Sequence, residues 1–164
     1  MQQIRVLGHR CLCMEATEVR TFDDLVRAER QPMLRVAALM LGGATEAEEV
    51  VQEAFTSVSI QWDSLSNPGG YLRTSVVNGC RQIIRHRAVV HRHPQLEPGP
   101  VWQATTIEMH DALFELSDRQ RMAIVLRYFL DWSDDEIAES LQCRPSTVRS
   151  LLRRGLAQLR KDLS

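Results

Sequence analysis

Aromatic side chains make up only 5% of this chain, and glycine (8) and proline (6) are sparse. Sheet-rich folds draw on aromatic and β-branched residues and on glycine and proline turns, so this scarcity argues against them. Leu, Ala, Arg, Glu and Val dominate instead, a composition that favours helix. Long hydrophobic runs are missing too. The longest uninterrupted one, Val36 to Leu41, is far too short to span a bilayer. No basic segment followed by an apolar one opens the chain, so no secretory leader is expected. The cysteines Cys11, Cys13, Cys80 and Cys143 are too few and scattered for a disulfide scaffold and fit a reducing cytoplasm. His9, Cys11 and Cys13 at alternate positions suggest either a metal or redox site or an untidy N-terminal tail, and the tail is favoured because the spacing matches no usual zinc ligand pattern. No metal and no cofactor is expected.

What the chain does have is sorted charge. Its net charge is −1, yet Gln142 to Lys161 carries Arg144, Arg149, Arg153, Arg154, Arg160 and Lys161 with no Asp or Glu. Just before it, Asp131 to Ser140 holds Asp131, Asp134, Asp135, Glu136 and Glu139 with no Lys or Arg. A basic segment set apart in this way points to a polyanionic partner.

The pattern from Thr21 onward is helical almost throughout, and an all-α fold is predicted. Residues 1–20 show no period and read as an N-terminal extension, with Met14 as a plausible alternative start. Phe22, Leu25 and Val26 mark a first helix expected to end near Pro32, since proline removes a donor and clashes with the preceding turn. Leu34 to Leu41 continues the apolar stripe until Gly42-Gly43 stops it. Thr45 and Glu48 have capping-box spacing, ahead of the cleanest amphipathic stripe: Ala47, Val50, Val51, Ala54, Phe55, Val58 and Trp62. Asp63 to Gly70 reads as a loop, and Tyr71 to about Arg87 as a helix with Leu72, Val76, Cys80 and Ile83 inward. Pro94, Pro98, Gly99 and Pro100 break the pattern and define a linker over 92–104. The chain thus divides into the extension, a domain over 21–91, the linker and a domain over 105–164, each domain small and marginal alone.

The second domain restarts with three capping-box spacings: Thr105/Glu108, Ser117/Gln120 and Ser133/Glu136. The middle helix should bury Met122, Val125, Leu126 and Phe129, and the short third one Ile137, Ala138 and Leu141. After Gln142-Cys143-Arg144, Pro145 suits the first position of a last helix. A short helix, a turn and a helix with a basic outer face make a helix-turn-helix. Val148, Leu151, Leu152, Leu156 and Leu159 form its inner stripe, while Ser146, Arg149, Ser150 and Arg153 share the opposite face. Arginines there suit guanine edges or phosphates, and small hydroxyls allow close backbone approach. A solvated helix face is the bland alternative, and the capped scaffold helix and Pro145 favour DNA over it.

The segment Leu116-Ser117-Asp118-Arg119-Gln120-Arg121, continuing through Arg127-Tyr128-Phe129, Glu136-Ile137-Ala138 and Thr147-Val148-Arg149-Ser150 to Arg153-Arg154-Gly155-Leu156, resembles region 4 of bacterial sigma factors. Glu46 to Phe55 is similar to region 2.2, and Tyr71-Leu72-Arg73 with Asn78, Arg81, Arg85 and Arg87 to regions 2.3 and 2.4. The order and the linker resemble the extracytoplasmic-function class (group 4) of the sigma-70 family, which keeps only regions 2 and 4. The resemblance covers about Phe22 to Arg160. Departures are Gln82 where Asp is common, Gly155 for the common Ala, and Tyr71 where Trp is frequent. The short length after region 4 does not fit the subgroup with an added C-terminal sensor domain.

The resemblance implies a promoter-recognition subunit and not an enzyme. Glu46, Glu49, Gln52 and Glu53 would dock on core RNA polymerase, at the largest-subunit clamp, with the flap as a further contact. Tyr71, Arg73, Asn78, Arg81 and Arg85 would face the −10 element, with Asp63 to Gly70 holding a flipped base, at a cost of roughly a few kcal/mol per base taken from the stack. Arg144, Ser146, Thr147, Arg149, Ser150, Arg153 and Arg154 would read the −35 element. An anti-sigma factor is an implied partner, and no small-molecule substrate is. Two other readings compete: a helix-turn-helix regulator acting without core polymerase, and a degenerate sigma-like protein that sequesters a partner. An enzyme is disfavoured, because His86, His91 and His93 have no organised carboxylate or serine beside them.

Overall fold

A computed structural model describes residues 21–90 and 104–162, apart from the side-chain surroundings of 104–108. The N-terminal extension, the linker and the Thr105/Glu108 cap therefore lie outside what is described. The described chain is all-α: α1 (Phe22–Leu41), α2 (Ala44–Gln61), a 3-10 turn (Trp62–Ser64), α3 (Pro68–Val89), α4 (Ala104–Phe114), α5 (Asp118–Phe129), α6 (Asp134–Ser140) and α7 (Pro145–Asp162). The first three helices pack mutually, α5, α6 and α7 form a second group, and α1 meets α5.

Helix α1 corrects the sequence reading, because Pro32 does not end it. The proline costs about 3 kcal/mol in a helix interior, but Met33, Leu34, Val36 and Leu39 to Leu41 stay in phase and are buried. Each large apolar side chain buried contributes roughly 1.5–3 kcal/mol, so packing carries the helix through. A capping box of Thr21 and Asp24 starts it, and Gly42 ends it at φ 84, a left-handed conformation open to glycine.

Other ends differ from expectation as well. Helix α2 starts at Ala44 with Gly43 as N-cap and no side-chain cap, so Thr45 and Glu48 form no capping box there. The predicted loop over Asp63 to Gly70 contracts, since Asn67 caps α3 by accepting from the Gly70 N–H at 2.9 Å and Pro68 takes the first helical position. The Ser117/Gln120 and Ser133/Glu136 boxes are both present. Gln142, in the turn before α7, sits at φ 51, a left-handed conformation that costs a non-glycine residue about 1–2 kcal/mol.

In the cores, Phe22 meets Phe55 and Trp62 edge-on, at centroid distances of 6.2 and 5.7 Å. Cys80 is fully buried between the helices, and burial pushes its thiol up to about 12. Phe129, expected inward, is exposed at the end of α5, while Arg121, Ala123 and Ile124 are buried with Met122, Val125 and Leu126. In α7, Leu152 and Leu156 are only half-buried. Gly155 takes the inner place instead: a Cβ there would lie 2.7 Å from Ile124 Cδ1, so glycine lets α7 approach α5 closely.

Arg121 is 2% exposed. Its Nε donates to the Met40 carbonyl at 3.3 Å, its Nη1 to Leu116 O at 3.4 Å and its Nη2 to Asp118 Oδ1 at 2.5 Å. Its guanidinium stands 4.1 Å from the Phe114 ring centroid. Burial lowers its pKa, and Asp118 opposes the shift. We expect Arg121→Met to lower stability by about 1.5–3 kcal/mol, the worth of hydrogen bonds to a charged group. Arg121→Lys should not restore it, since an ammonium lacks the fork that reaches three acceptors. Urea unfolding of the three proteins checks this, and equal midpoints would refute it.

Candidate nucleic-acid interface

Helix α7 begins at Pro145 and buries Val148, Leu151, Gly155 and Leu159 against α5 and α6. That packing turns Arg144, Ser146, Arg149, Arg153 and Arg154 out to solvent and leaves Thr147 and Ser150 half-buried at the margin. The predicted basic face therefore exists as one surface. Two of its members are also engaged with the helix itself. Ser150 Oγ donates to the Ser146 carbonyl at 3.0 Å, and Arg154 Nε to the Ser150 carbonyl at 3.3 Å.

The acidic segment is not held apart from this face. Asp134, the first residue of α6, places Oδ2 3.6 Å from Arg149 Nη1 and Oδ1 3.6 Å from Arg127 Nη2. Charges sorted along the sequence meet in space because the turn over 141–144 folds α6 across the start of α7. Sequence reasoning missed this residue, since nothing in a local pattern relates positions on two helices that cross.

On α3, Asn78 and Arg85 are exposed and Arg81 is half-buried, with Arg81 Nη1 donating to Asn78 Oδ1 at 3.5 Å. Burial, then the charges of Arg85 and of Arg119 on α5, lower the Arg81 pKa. The structure thus brings Asn78, Arg81 and Arg85 together. Arg73 is turned toward α1, where it pairs with Glu29. Tyr71 is half-buried, and its hydroxyl is held by α2: Gln61 Nε2 donates to it at 2.7 Å, and Ser57 Oγ lies 3.1 Å away.

On α2, Glu49, Gln52 and Glu53 are exposed together. Glu46 stands apart from them, paired with Arg87 of α3. Gln52 also lines a groove of about 500 Å³ between α1 and α2, whose floor includes Val26, Leu34, Val51 and Phe55. Among the described residues no group of His, Cys, Asp and Glu could hold a metal ion, and no helix is long and apolar enough to cross a membrane.

The comparisons with known proteins fall on these same two groups of helices. Residues 25–89 match the family "Sigma-70 region 2", and residues 106–159 match "Sigma-70, region 4". The RNA polymerase sigma-E factor of Streptomyces coelicolor is 30% identical over 157 residues, covering 89% of this chain and 88% of that protein. The ECF RNA polymerase sigma factor SigW of Bacillus subtilis is 26% identical over 166 residues, covering 87% and 88%. The sigma factor RpoE of Bartonella quintana, solved in complex with the anti-sigma factor NepR, superposes with a TM-score of 0.68 over 87% of this chain and 96% of that one, at 22% identity, a likeness of fold.

Replacing Tyr71 by Phe keeps the ring and removes the acceptor for Gln61. We expect a loss of roughly 0.5–1.5 kcal/mol. Urea midpoints of the two proteins measure it, and an unchanged midpoint would mean that the Ser57–Gln61–Tyr71 network contributes nothing.

Proposed function

The chain belongs to the extracytoplasmic-function sigma factors of the sigma-70 family and directs promoter-specific initiation by RNA polymerase, and we propose how its residues divide that work. Members of the family are regulatory subunits, with catalysis left to the polymerase. The observation that carries the reading is the coexistence of the basic outer face of α7 with the acidic outer face of α2 on one chain. A DNA-binding regulator alone needs only the first.

In this reading Glu49, Gln52 and Glu53 dock on the largest-subunit clamp, beside the groove between α1 and α2. Glu46, at the start of the same helix, is tied to Arg87 and contributes its charge to that end of the surface. Asn78, Arg81 and Arg85 face the −10 element, with Tyr71 offering its ring while α2 holds its hydroxyl. Arg73, engaged by Glu29, serves the shape of the domain before it serves DNA. Arg144, Ser146, Thr147, Arg149, Ser150, Arg153 and Arg154 form the −35 surface on and just before α7. The working units are 21–91 and 105–164, joined by a linker over 92–104. Tyr128 and Phe129, exposed at the end of α5, suit a further apolar contact with the polymerase flap. An anti-sigma factor is the regulatory partner, and the cytoplasm is where the chain acts.

The promoter also requires a change of shape. The two elements are about 25 base pairs apart, roughly 85 Å at about 3.4 Å each. A compact body of this length has a radius of gyration of about 15 Å. The contact of α1 with α5 through Arg121 therefore belongs to the free chain and parts when both elements are read.

Run-off transcription with purified core polymerase tests the whole reading, and transcripts that start without sequence preference would refute it. Arg149→Ala should weaken binding to the −35 element by about 1–3 kcal/mol and relax base preference at one position. Electrophoretic shift with single-base variants of the element measures both. Glu49→Arg should impair assembly with core while leaving binding of an isolated −35 fragment alone. Equal core affinity of mutant and wild type, measured by fluorescence anisotropy, would remove α2 from the interface.

A further inference from the structure

Among the arginines of the α7 surface, Arg149 stands out because a carboxylate from another helix is beside it. Asp134 lies at the first turn of α6, behind the N-cap Ser133, and its side chain is 24% exposed against 64% for Arg149. The start of a helix favours a carboxylate electrostatically. On its other side the carboxylate meets Arg127 of α5, which donates from Nη1 to the Trp132 carbonyl at 2.8 Å. Asp134 Oδ1 is buried and has no hydrogen-bond partner. The line Arg127–Asp134–Arg149 thus ties α5 to both helices of the helix-turn-helix. Its neighbours cannot replace it: Glu136 accepts from the Ser133 N–H and hydroxyl in the capping box, and Asp135 points to solvent.

We propose that Asp134 is a positioning residue for −35 recognition, holding the Arg149 guanidinium at the outer face of α7 and offsetting its attraction for phosphate. The proposal rests on the reading of α7 as the −35 helix. A phosphate alone must compete with Asp134 for Arg149, so binding to arbitrary sequence is weakened. Asp134 cancels part of the guanidinium's net charge, which weakens its Coulomb attraction for an anionic phosphate more than its hydrogen bonds to a neutral base edge, so binding to the right sequence is not weakened to the same extent. Specificity is a difference of affinities, and a group that penalises the wrong complex raises it.

The test uses the full chain assembled with core polymerase, on promoter DNA and on the same DNA with a scrambled −35 element, over a range of salt. Asp134→Asn keeps the shape and removes the charge. We expect the ratio of the two affinities to fall about two- to fivefold, the range of an exposed ion pair, chiefly because scrambled DNA binds more tightly. The salt dependence of scrambled-DNA binding should steepen, by up to about one released counterion, as Arg149 becomes available to phosphate. A role confined to folding would not move that slope. In the Arg149→Ala background, Asp134→Asn should change neither quantity. Urea midpoints of the isolated chains confirm that each variant folds. An unchanged ratio and slope in Asp134→Asn, with Arg149→Ala impaired, overturns the proposal and leaves the reading of α7 standing. The same change with and without Arg149 also overturns the proposal alone. Full discrimination in Arg149→Ala overturns both.

Discussion

The C-terminal end of α1 is where this structure is held together. A helix ends in unsatisfied carbonyls and a partial negative charge, and α1 has no basic residue in its own last turn. Two guanidiniums from elsewhere supply what is missing. Arg87 of α3 donates to the Leu41 carbonyl at 2.7 Å, and Arg121 of α5 to the Met40 carbonyl at 3.3 Å. The first bond closes the three-helix group on itself, and the second joins the two groups. Both arginines are lowered in pKa first by burial, and Arg87 next by the nearby charge of Arg121. Two cations tolerate this proximity because Glu46 and Asp118 pair with them from the other side.

The DNA-facing surfaces depend on packing within each group of helices, although no single side chain in them is buried deeply. α7 presents a basic side only because its other side is closed against α5, where Gly155 permits a close crossing. α3 keeps Asn78, Arg81 and Arg85 outward because Leu72, Val76, Val77, Cys80 and Ile84 face the core. Function on both helices is what remains after packing has claimed the apolar stripe.

Much of this was legible in the residues themselves. The amphipathic periods located α2, α3, α5 and α7, and Ser117, Ser133, Gly42 and Pro145 marked ends that the structure reproduces. Boundaries failed where a long-range contact overrode a local preference. Pro32 should break a helix, yet the stripe beyond it had a core to enter. Thr45 had the spacing of a cap, but Gly43 already stood in an extended conformation one step before Ala44. Phe129 fitted the period of α5, but the helix ends there and the core does not reach it.

For the candidate site, residue types and helix faces were local properties, and so the sequence by itself determined them: a chain of 3.6-residue periodicity puts Ser146, Arg149 and Arg153 on one side whatever surrounds it. Which charged side chains stay available to a partner was decided only in three dimensions. Along the chain Glu46 read as a polymerase contact and Arg73 and Arg149 as DNA contacts, each open to a partner. Folding pairs the first with Arg87, the second with Glu29 and the third with Asp134. Arg121 read as one basic residue of a motif and became the buried link between two groups of helices. An ion pair between helices depends on where they cross, and crossing is set by the packing of the cores and not by neighbours in the chain.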